Sequence, residues 1–570
     1  MCESLLQACK SRRRRVITLG AGLFEAREVL KECTGDPSHP VEHSKELSML
    51  VKPRQRHSYD LIVHVGLARY LEGKQREEIR ADLLRERCIE LSDGTVSNLC
   101  DRFLTYLEAL HLARASQLAA SIHEQGGYPL HLDATNDRGK GGLFVCMDGF
   151  REWVLVSGRI PSEHEDHMRP IVERTVEVFG DPLATVRDLG GAVARAVESL
   201  RKRGIPDLVC HYHFLGAVGK SLFDEPYMVL RNTLRCSSVR SNARALLREL
   251  RCYRESSTYD GRFGSGQGRE NLLVLVHWLL EGDGRKKPPY PFSLPHLDFF
   301  HRSGQLTQKL QDWVPLPWSS VERRAIGHLE SLVARPWRDE RLANAVSRSD
   351  KGWEAFCRLR DVLRLTEAEL PMGDSCCRQM VIPPIEKERL NEIKKATLKY
   401  LDELRERVGD NTKSPDPEAL ILKYFNLYGD HLFGHPALRD ENGSIMAVVE
   451  RTNNILEHFF GQQKQSLRRR VGRSNLSRDM EDQPAQVALT ANLRHTDYVR
   501  ILCGSLDNLP DAFADLDATM LERTTPLHRD NRDSALSRLV RVLLDRDDYP
   551  GSLPNNEAKS ARISAPSTVV

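Results

Sequence analysis

Hydrophobic and polar positions change period several times along this chain, and each change marks a predicted element. Between residues 128 and 214, short β-branched or aromatic runs bounded by Gly and Pro predict five strands, over 128–135, 142–148, 152–157, 182–188 and 207–214. Helices are predicted between the third and fourth strands (about 163–179) and between the fourth and fifth (about 190–203). The first of these opens on Ser162-Glu-His-Glu165, the spacing of a capping box. Residues 58–112 follow a helical period instead. Leu61, Ile62, Val65 and Leu67 open one helix, and Ile79, Leu83 and Leu84 share a face of a second that begins near Gly73. Ser92 is a natural N-cap for a third, in which Val96, Leu99, Cys100 and Phe103 face inward. The polar first turn of that helix, Thr95, Ser97 and Asn98, suits either base reading in a DNA groove or the surface of a small helical bundle.

Between 226 and 430 the pattern predicts helices over 242–250, 271–280, 321–332, 353–363 and 385–408, separated by Gly- and Pro-rich breaks at 261–268 and 286–295. A segment of that length between two parts of a sheet must fold by itself. The Gly-rich break lacks the Lys-Ser/Thr ending of a phosphate-binding loop and reads as a linker. The expected layout is a basic segment (1–57), a helix-turn-helix domain (58–122), a first sheet part (123–225), an all-helical insertion (226–430), a second sheet part (431–500), and a C-terminal helical segment with a disordered tail (501–570). The expected fold class is therefore mixed, multidomain α/β.

Three carboxylates carry the candidate chemistry. Asp133 lies in the first predicted strand, Asp188 ends the fourth, and Glu457 follows Thr452-Asn-Asn-Ile-Leu. Hard cations such as Mg2+ take oxygen ligands, and two such ions can hold the attacking and leaving oxygens of a phosphoryl transfer. An isolated Asp at a strand end equally suits a turn cap.

Three strands, a helix, then alternating strand and helix is the chain order of a ribonuclease-H-like mixed sheet. In that order the first strand is central and the fourth lies beside it in parallel. Together with Cys210-His-Tyr-His213 and the Thr-Asn-rich approach to Glu457, these segments resemble DDE transposases of the Mutator-like superfamily and their bacterial insertion-sequence relatives. The likeness spans about 125–220 and about 430–480, roughly a third of the chain. It implies a catalytic triad of Asp133, Asp188 and Glu457 on two Mg2+ (or Mn2+) ions, a supporting Cys210/His213 pair, and a helical insertion before the glutamate. It also implies double-stranded DNA as partner, both element ends and target, and a homo-oligomer on DNA. Phe460 stands where relatives often carry Asn, which leaves Glu450, just before the Arg-Thr-Asn-Asn run, as a rival third carboxylate. A nuclease of the same fold without strand transfer, and a catalytically silent DNA-binding derivative, are the alternatives.

Charge and cysteine usage refine this picture. The 570 residues carry 83 basic and 80 acidic side chains, so position rather than net charge matters. Arg468, Arg469 and Arg470 follow Glu457 at helical spacing, as phosphate contacts or as a solvated basic face. Arg12 to Arg15 reads as a flexible basic tail. The thirteen cysteines show no repeated spacing, which argues for a reducing compartment. Zinc is conceivable at Cys210/His213, where His211 would point to the opposite strand face, and at Cys33, His39 and His43. No apolar run reaches the ~18 residues of a membrane span, and the expected location is cytoplasmic, nucleoid-associated in a bacterial host.

Overall fold

A computed structural model describes residues 4–36, 39, 41–136, 141–255, 267–284, 287–313, 318, 320–365, 387–409, 416–440 and 442–523. Most of the Gly-rich break at 261–268 and the whole tail from 550 lie outside them. The chain forms two compact units, Met1–Leu208 with Gly434–Val570, and Val209–Phe433.

The first unit opens with an antiparallel ribbon, β1 (Leu6–Thr18) and β2 (Gly22–Cys33). The run Arg12 to Arg15, expected as a flexible tail, is thus the middle of a strand. Its continuation explains why. Val16 and Ile17 bury against the body of the unit, and Gly22, at φ +68°, makes the tight return that an L side chain resists. Helices α1 (Lys45–Leu50), α2 (Tyr59–Tyr70), α3 (Arg76–Arg87), α4 (Asp93–Ala113) and α5 (Ala115–Glu124) follow. Ser92 caps α4 by accepting from the Thr95 N–H at 3.2 Å. Val96, Leu99, Cys100, Phe103, Leu104, Leu107 and Leu110 recur every three or four residues and are all buried. A Cβ on Gly66 would stand 2.1 Å from Phe103 Cγ, so α2 meets α4 at a position only glycine fills. Helices α2 to α5 share one continuous core with the sheet that follows.

That sheet comprises β3 (Pro129–Thr135), β4 (Gly142–Asp148), β5 (Trp153–Ile160), β6 (Ala184–Arg187) and β7 (Asp207–Val209), in the order β5-β4-β3-β6-β7. β3 is central, antiparallel to β4 and parallel to β6, as the chain order predicts. Its connections are α6 (Glu165–Phe179), α7 (Gly191–Ala196) and α8 (Glu198–Lys202). Two local expectations need correction. The cap of α6 is His164, whose ring accepts from the Asp166 N–H, rather than Ser162. The fifth strand stops at Val209 rather than running to 214, because Cys210 begins a helix.

The described residues of the second unit fold into α9 (His211–Cys236), α10 (Val239–Glu255), α11 (Gln267–Glu281), α12 (Pro295–Trp313), α13 (Ser320–Ala334), α14 (Glu340–Val362), α15 (Lys387–Val408) and α16 (Pro417–Tyr428). Helix α12 starts inside a Pro-rich break, with Pro295 at the first helical position, where its missing N–H costs nothing. The chain then returns to the first unit through β8 (Ala437–Arg439), β9 (Ile445–Val448), α17 (Asn454–Val471), α18 (Ser477–Glu481), α19 (Thr496–Cys503) and α20 (Leu509–Arg523). Asp517 of α20 is buried and accepts from Lys52 Nζ at 2.7 Å, Tyr59 Oη at 2.7 Å and Tyr106 Oη at 2.6 Å. This satisfied carboxylate ties α20 to α2 and α4. Among the described residues no helix is long and apolar enough to cross a membrane.

Candidate active site at the carboxyl end of the central strand

Sheet register decides where the two aspartates go. His131 of β3 aligns with Val186 of β6, and the strands run parallel. Two residues further along each chain stand Asp133, within β3, and Asp188, just past the end of β6, so both lie toward the carboxyl end of neighbouring strands. Asp133 Oδ1 accepts from the Ala134 N–H at 2.8 Å, and Asp188 Oδ1 accepts from the Gly190 N–H at 2.9 Å. These are the turn-capping roles expected of an isolated Asp, and each also orients its carboxylate. A Cβ on Gly190 would lie 2.9 Å from Asp188 Oδ1, so any side chain there would push the carboxylate aside. The backbone leading into Asp188 is held by Arg187. Its guanidinium makes a buried two-pronged pair with Asp207, at 2.8 Å on each prong, and donates to the Asp188 carbonyl at 2.9 Å.

Glu457 reaches this region on α17. Asn453, the residue that starts the helix, is buried and makes no capping bond with its side chain. The side chain binds β3 instead: Nδ2 donates to the Leu132 carbonyl at 3.1 Å, and Oδ1 accepts from His131 Nδ1 at 2.9 Å. Because that oxygen only accepts, His131 carries its proton on Nδ1. Burial pulls the pKa of His131 down to about 4, so the ring is neutral. Further along the helix, Lys464 Nζ donates to the Asn136 carbonyl at 3.2 Å. Helix α17 therefore runs beside the last residues of β3. Glu457 lies four residues past Asn453, ~6 Å along the axis at 1.5 Å per residue. A strand advances ~3.3 Å per residue, so Glu457 stands level with Asp133 and Ala134.

The rival Glu450 is placed elsewhere. Burial first, and then the charge of Glu152, raise its carboxyl to about 7. Glu152 precedes Trp153, which pairs with Asp148, which in turn pairs with Leu130 near the start of β3. Glu450 thus belongs to the amino end of the central strand, ~10 Å of strand away from Asp133.

The remaining sequence candidates are placed as follows. Asn98 is exposed, and Thr95 and Ser97 are half-buried on the first turn of α4, where the Thr95 and Ser92 hydroxyls bond at 2.8 Å. Arg468 and Arg469 are exposed on the last turn of α17. Arg470, expected beside them as a DNA contact, is instead buried, with its guanidinium 5.1 Å over the Tyr70 ring. Burial lowers its pKa to about 10. The carbonyls of Arg469 and Arg470 accept from Gln75 Nε2 at 3.2 Å and Arg69 Nη1 at 3.1 Å, which seats the end of α17 on α2 and α3. Cys210 and His213 lie in the second unit, Cys210 as N-cap of α9 and His213 in its first turn. The expectation that His211 points away across a strand falls with the strand. The ring of His211 bonds the Leu432 carbonyl at 2.6 Å. His39 faces Asp36 at 3.5 Å and His43 bonds Glu28 at 2.9 Å. Among the described residues, no group of three or more His, Cys, Asp or Glu side chains stands ready to hold a metal ion.

Four residues of the site escaped the sequence reading: His131, Asn453, Arg187 and Asp207. Asn453 had a signal, its place in the Thr-Asn-Asn run. The others are legible only as partners. Compared with known proteins, the chain matches no family model and no curated protein.

Proposed function

We propose that this protein is a DDE-type transposase, a polynucleotidyl transferase that cleaves and joins double-stranded DNA with two Mg2+ (or Mn2+) ions. One observation carries the reading. Asn453 clips the start of α17 to β3 one residue before Asp133, while Asp188 immediately follows the parallel neighbour of that strand. Asp133 and Asp188 thereby lie toward the same end of the sheet, in a strand order that suits a ribonuclease-H-like core, and on this reading Glu457 of α17 is the third carboxylate.

Asp133, Asp188 and Glu457 are the residues that would hold the ions. Their hard oxygen donors fit Mg2+, which keeps several waters and takes substrate phosphate oxygens, so three carboxylates need not close a cage. When bound, the ions supply activation of a water or a DNA 3′-hydroxyl and neutralise charge on the phosphate. The protein's own part is positioning. Gly190 and Ala134 orient the two aspartates, Arg187 fixes the backbone of Asp188, and the His131–Asn453 pair sets the height of Glu457. Arg468, Arg469 and Lys464 would follow the phosphate backbone, and Thr95, Ser97 and Asn98 would meet base edges in the manner of a helix-turn-helix. A homo-oligomer on paired element ends completes the reading.

The test incubates the full chain with a 3′-hydroxyl duplex carrying element ends, a supercoiled target and MgCl2. Joined product that disappears in Asp188→Asn supports transposition. Cleavage without joining marks a nuclease. The lack of an assembled ligand set among the described residues favours one other reading, a DNA-binding protein without catalysis. Duplex binding with no Mg2+-dependent product would decide for it.

A further inference from the structure

The N-terminal ribbon is a long, highly charged element that the catalytic reading leaves unused. Its two faces differ. On the inner face Val16, Leu30 and Glu28 are buried, and Arg14 is held by the Lys52 carbonyl at 3.1 Å. The outer face carries Arg13, Arg15, Arg27 and Lys31, all exposed, against the carboxylate of Glu25 and that of exposed Glu42, which an antiparallel bridge sets opposite Lys31. Arg13 and Arg27 sit directly across from each other, and Arg15 pairs across to Glu25. The one ion pair on this face, Arg13 with Glu25 at 3.4 Å, is open to solvent and so weak.

The ribbon is also rooted. Ile17 donates to the Arg56 carbonyl at 2.8 Å, the Ser58 N–H returns to the Ile17 carbonyl at 3.1 Å, and the Leu19 N–H binds Asp60 at 3.0 Å. Its cations are therefore presented on a fixed scaffold rather than on a tail, which lowers the ordering cost of binding a polyanion.

We infer that the outer face of this ribbon is a second contact surface for double-stranded DNA, separate from the first turn of α4 and from the basic end of α17. Two strands ~4.8 Å apart form a ribbon narrow enough for the ~12 Å major groove. Four cations against two carboxylates leave this face net positive, as a phosphate-lined groove requires. The exposed Leu23 and Val29 on the same face supply apolar contact for thymine methyl groups. The inference rests on the DNA reading only for the choice of polymer and uses none of the three carboxylates.

The test is the binding of a fluorescein-labelled duplex to the full chain in EDTA, read by anisotropy across KCl concentrations from about 50 to 200 mM. Replacing Arg13, Arg15 and Arg27 together by Gln should weaken binding at low salt about tenfold and flatten the slope of log K against log salt by about 2 to 3, at ~0.9 per phosphate contact. Glu25→Gln should act in the opposite sense, tightening binding about threefold and steepening the slope by up to about 1. A misfolded variant cannot mimic that gain. Unchanged slopes in both variants, with the parent binding normally, would overturn the ribbon surface alone. Failure of the parent to bind duplex would overturn it together with the DNA reading. If slopes hold but Leu23→Ser with Val29→Ser lowers the molar mass in solution, the face joins two copies of the chain and the DNA contact is wrong.

Discussion

The two ends of β3 are built from similar residue types and do opposite things. At its amino end, Asp148 is buried and bound by Arg151 at 2.6 Å, and Glu450 is pushed toward its neutral form beside Glu152. Asp148 also accepts from the Phe150 N–H at 2.9 Å. At the carboxyl end, Asp133, Asp188 and Glu457 are only half-buried, and the buried polar groups around them, Asn453, His131 and Arg187, serve the backbone that carries them. At the first end, pairing and burial set the charge state of the acids, whereas at the second, buried polar groups hold the backbone that carries them. The lesson is that a carboxylate's role follows from what holds its neighbours, more than from its own exposure.

The largest effect should come from Asp188→Asn, which keeps shape but removes charge. Mg2+-dependent cleavage and joining should fall by ~10³-fold or more, on the scale of losing a key electrostatic group, while duplex binding in EDTA is unchanged. Glu450→Gln, at the other end of the strand, should alter the cleavage rate by less than about threefold. If Glu450→Gln abolished cleavage and Glu457→Gln did not, the assignment of the two ends would be reversed.

Next in size is Asn453→Ala. It strands the His131 Nδ1–H and the Leu132 carbonyl in the interior, at ~1–3 kcal/mol each, so unfolding in urea should shift by roughly 2–5 kcal/mol. The Mg2+ concentration for half-maximal cleavage should also rise, because Glu457 loses its register against Asp133. Lost stability with an unchanged Mg2+ requirement would make Asn453 a purely structural clip.

The two ends should also respond to pH with opposite sign. Glu450 has its pKa raised from 4.5 to about 7. Its contribution is complete below pH 4.5 and is lost as pH rises through about 7. Glu450→Gln should therefore be more stable than the parent at pH 8, by on the order of 1–3 kcal/mol, and equal to it near pH 4. His131 and His435 are buried neutral, with pKa values pulled to about 4 and about 3. Burial is the main cause for both, joined at His435 by the charges of Arg451 and His131. Their contribution is present above the ordinary histidine value of 6.5 and is lost as pH falls through about 4. Thermal melts of the parent, Glu450→Gln and His131→Asn between pH 4 and 8 would check both signs.

The smallest effect concerns recognition. Replacing Ser97 and Asn98 by Ala should cost ~1–3 kcal/mol of preference for the cognate sequence over random duplex. Non-specific binding, carried by phosphate contacts, should stay unchanged. Competition binding with cognate and scrambled duplexes measures the difference, and equal loss on both would point to a packing role for the start of α4.

Local periodicity was enough to locate the strand that carries Asp133 and the strand that Asp188 follows, and their order along the chain was enough to expect those strands side by side. Ser92 and the inward residues of α4 were equally legible, because capping and amphipathic spacing act between residues three or four apart. What lies beyond that reach was settled by tertiary structure alone. The Arg12 to Arg15 run looked like a tail until its partner strand was placed opposite it, and the predicted fifth strand yielded to a 26-residue helix starting at His211. Arg470 is indistinguishable in sequence from Arg468 and Arg469, yet it is the one that α17 turns onto Tyr70. His131 and Asn453, 322 residues apart, meet in a bond that no local pattern announces. A side chain's local pattern sets the face of the element on which it stands, but the neighbour that face meets depends on how distant segments close into one core.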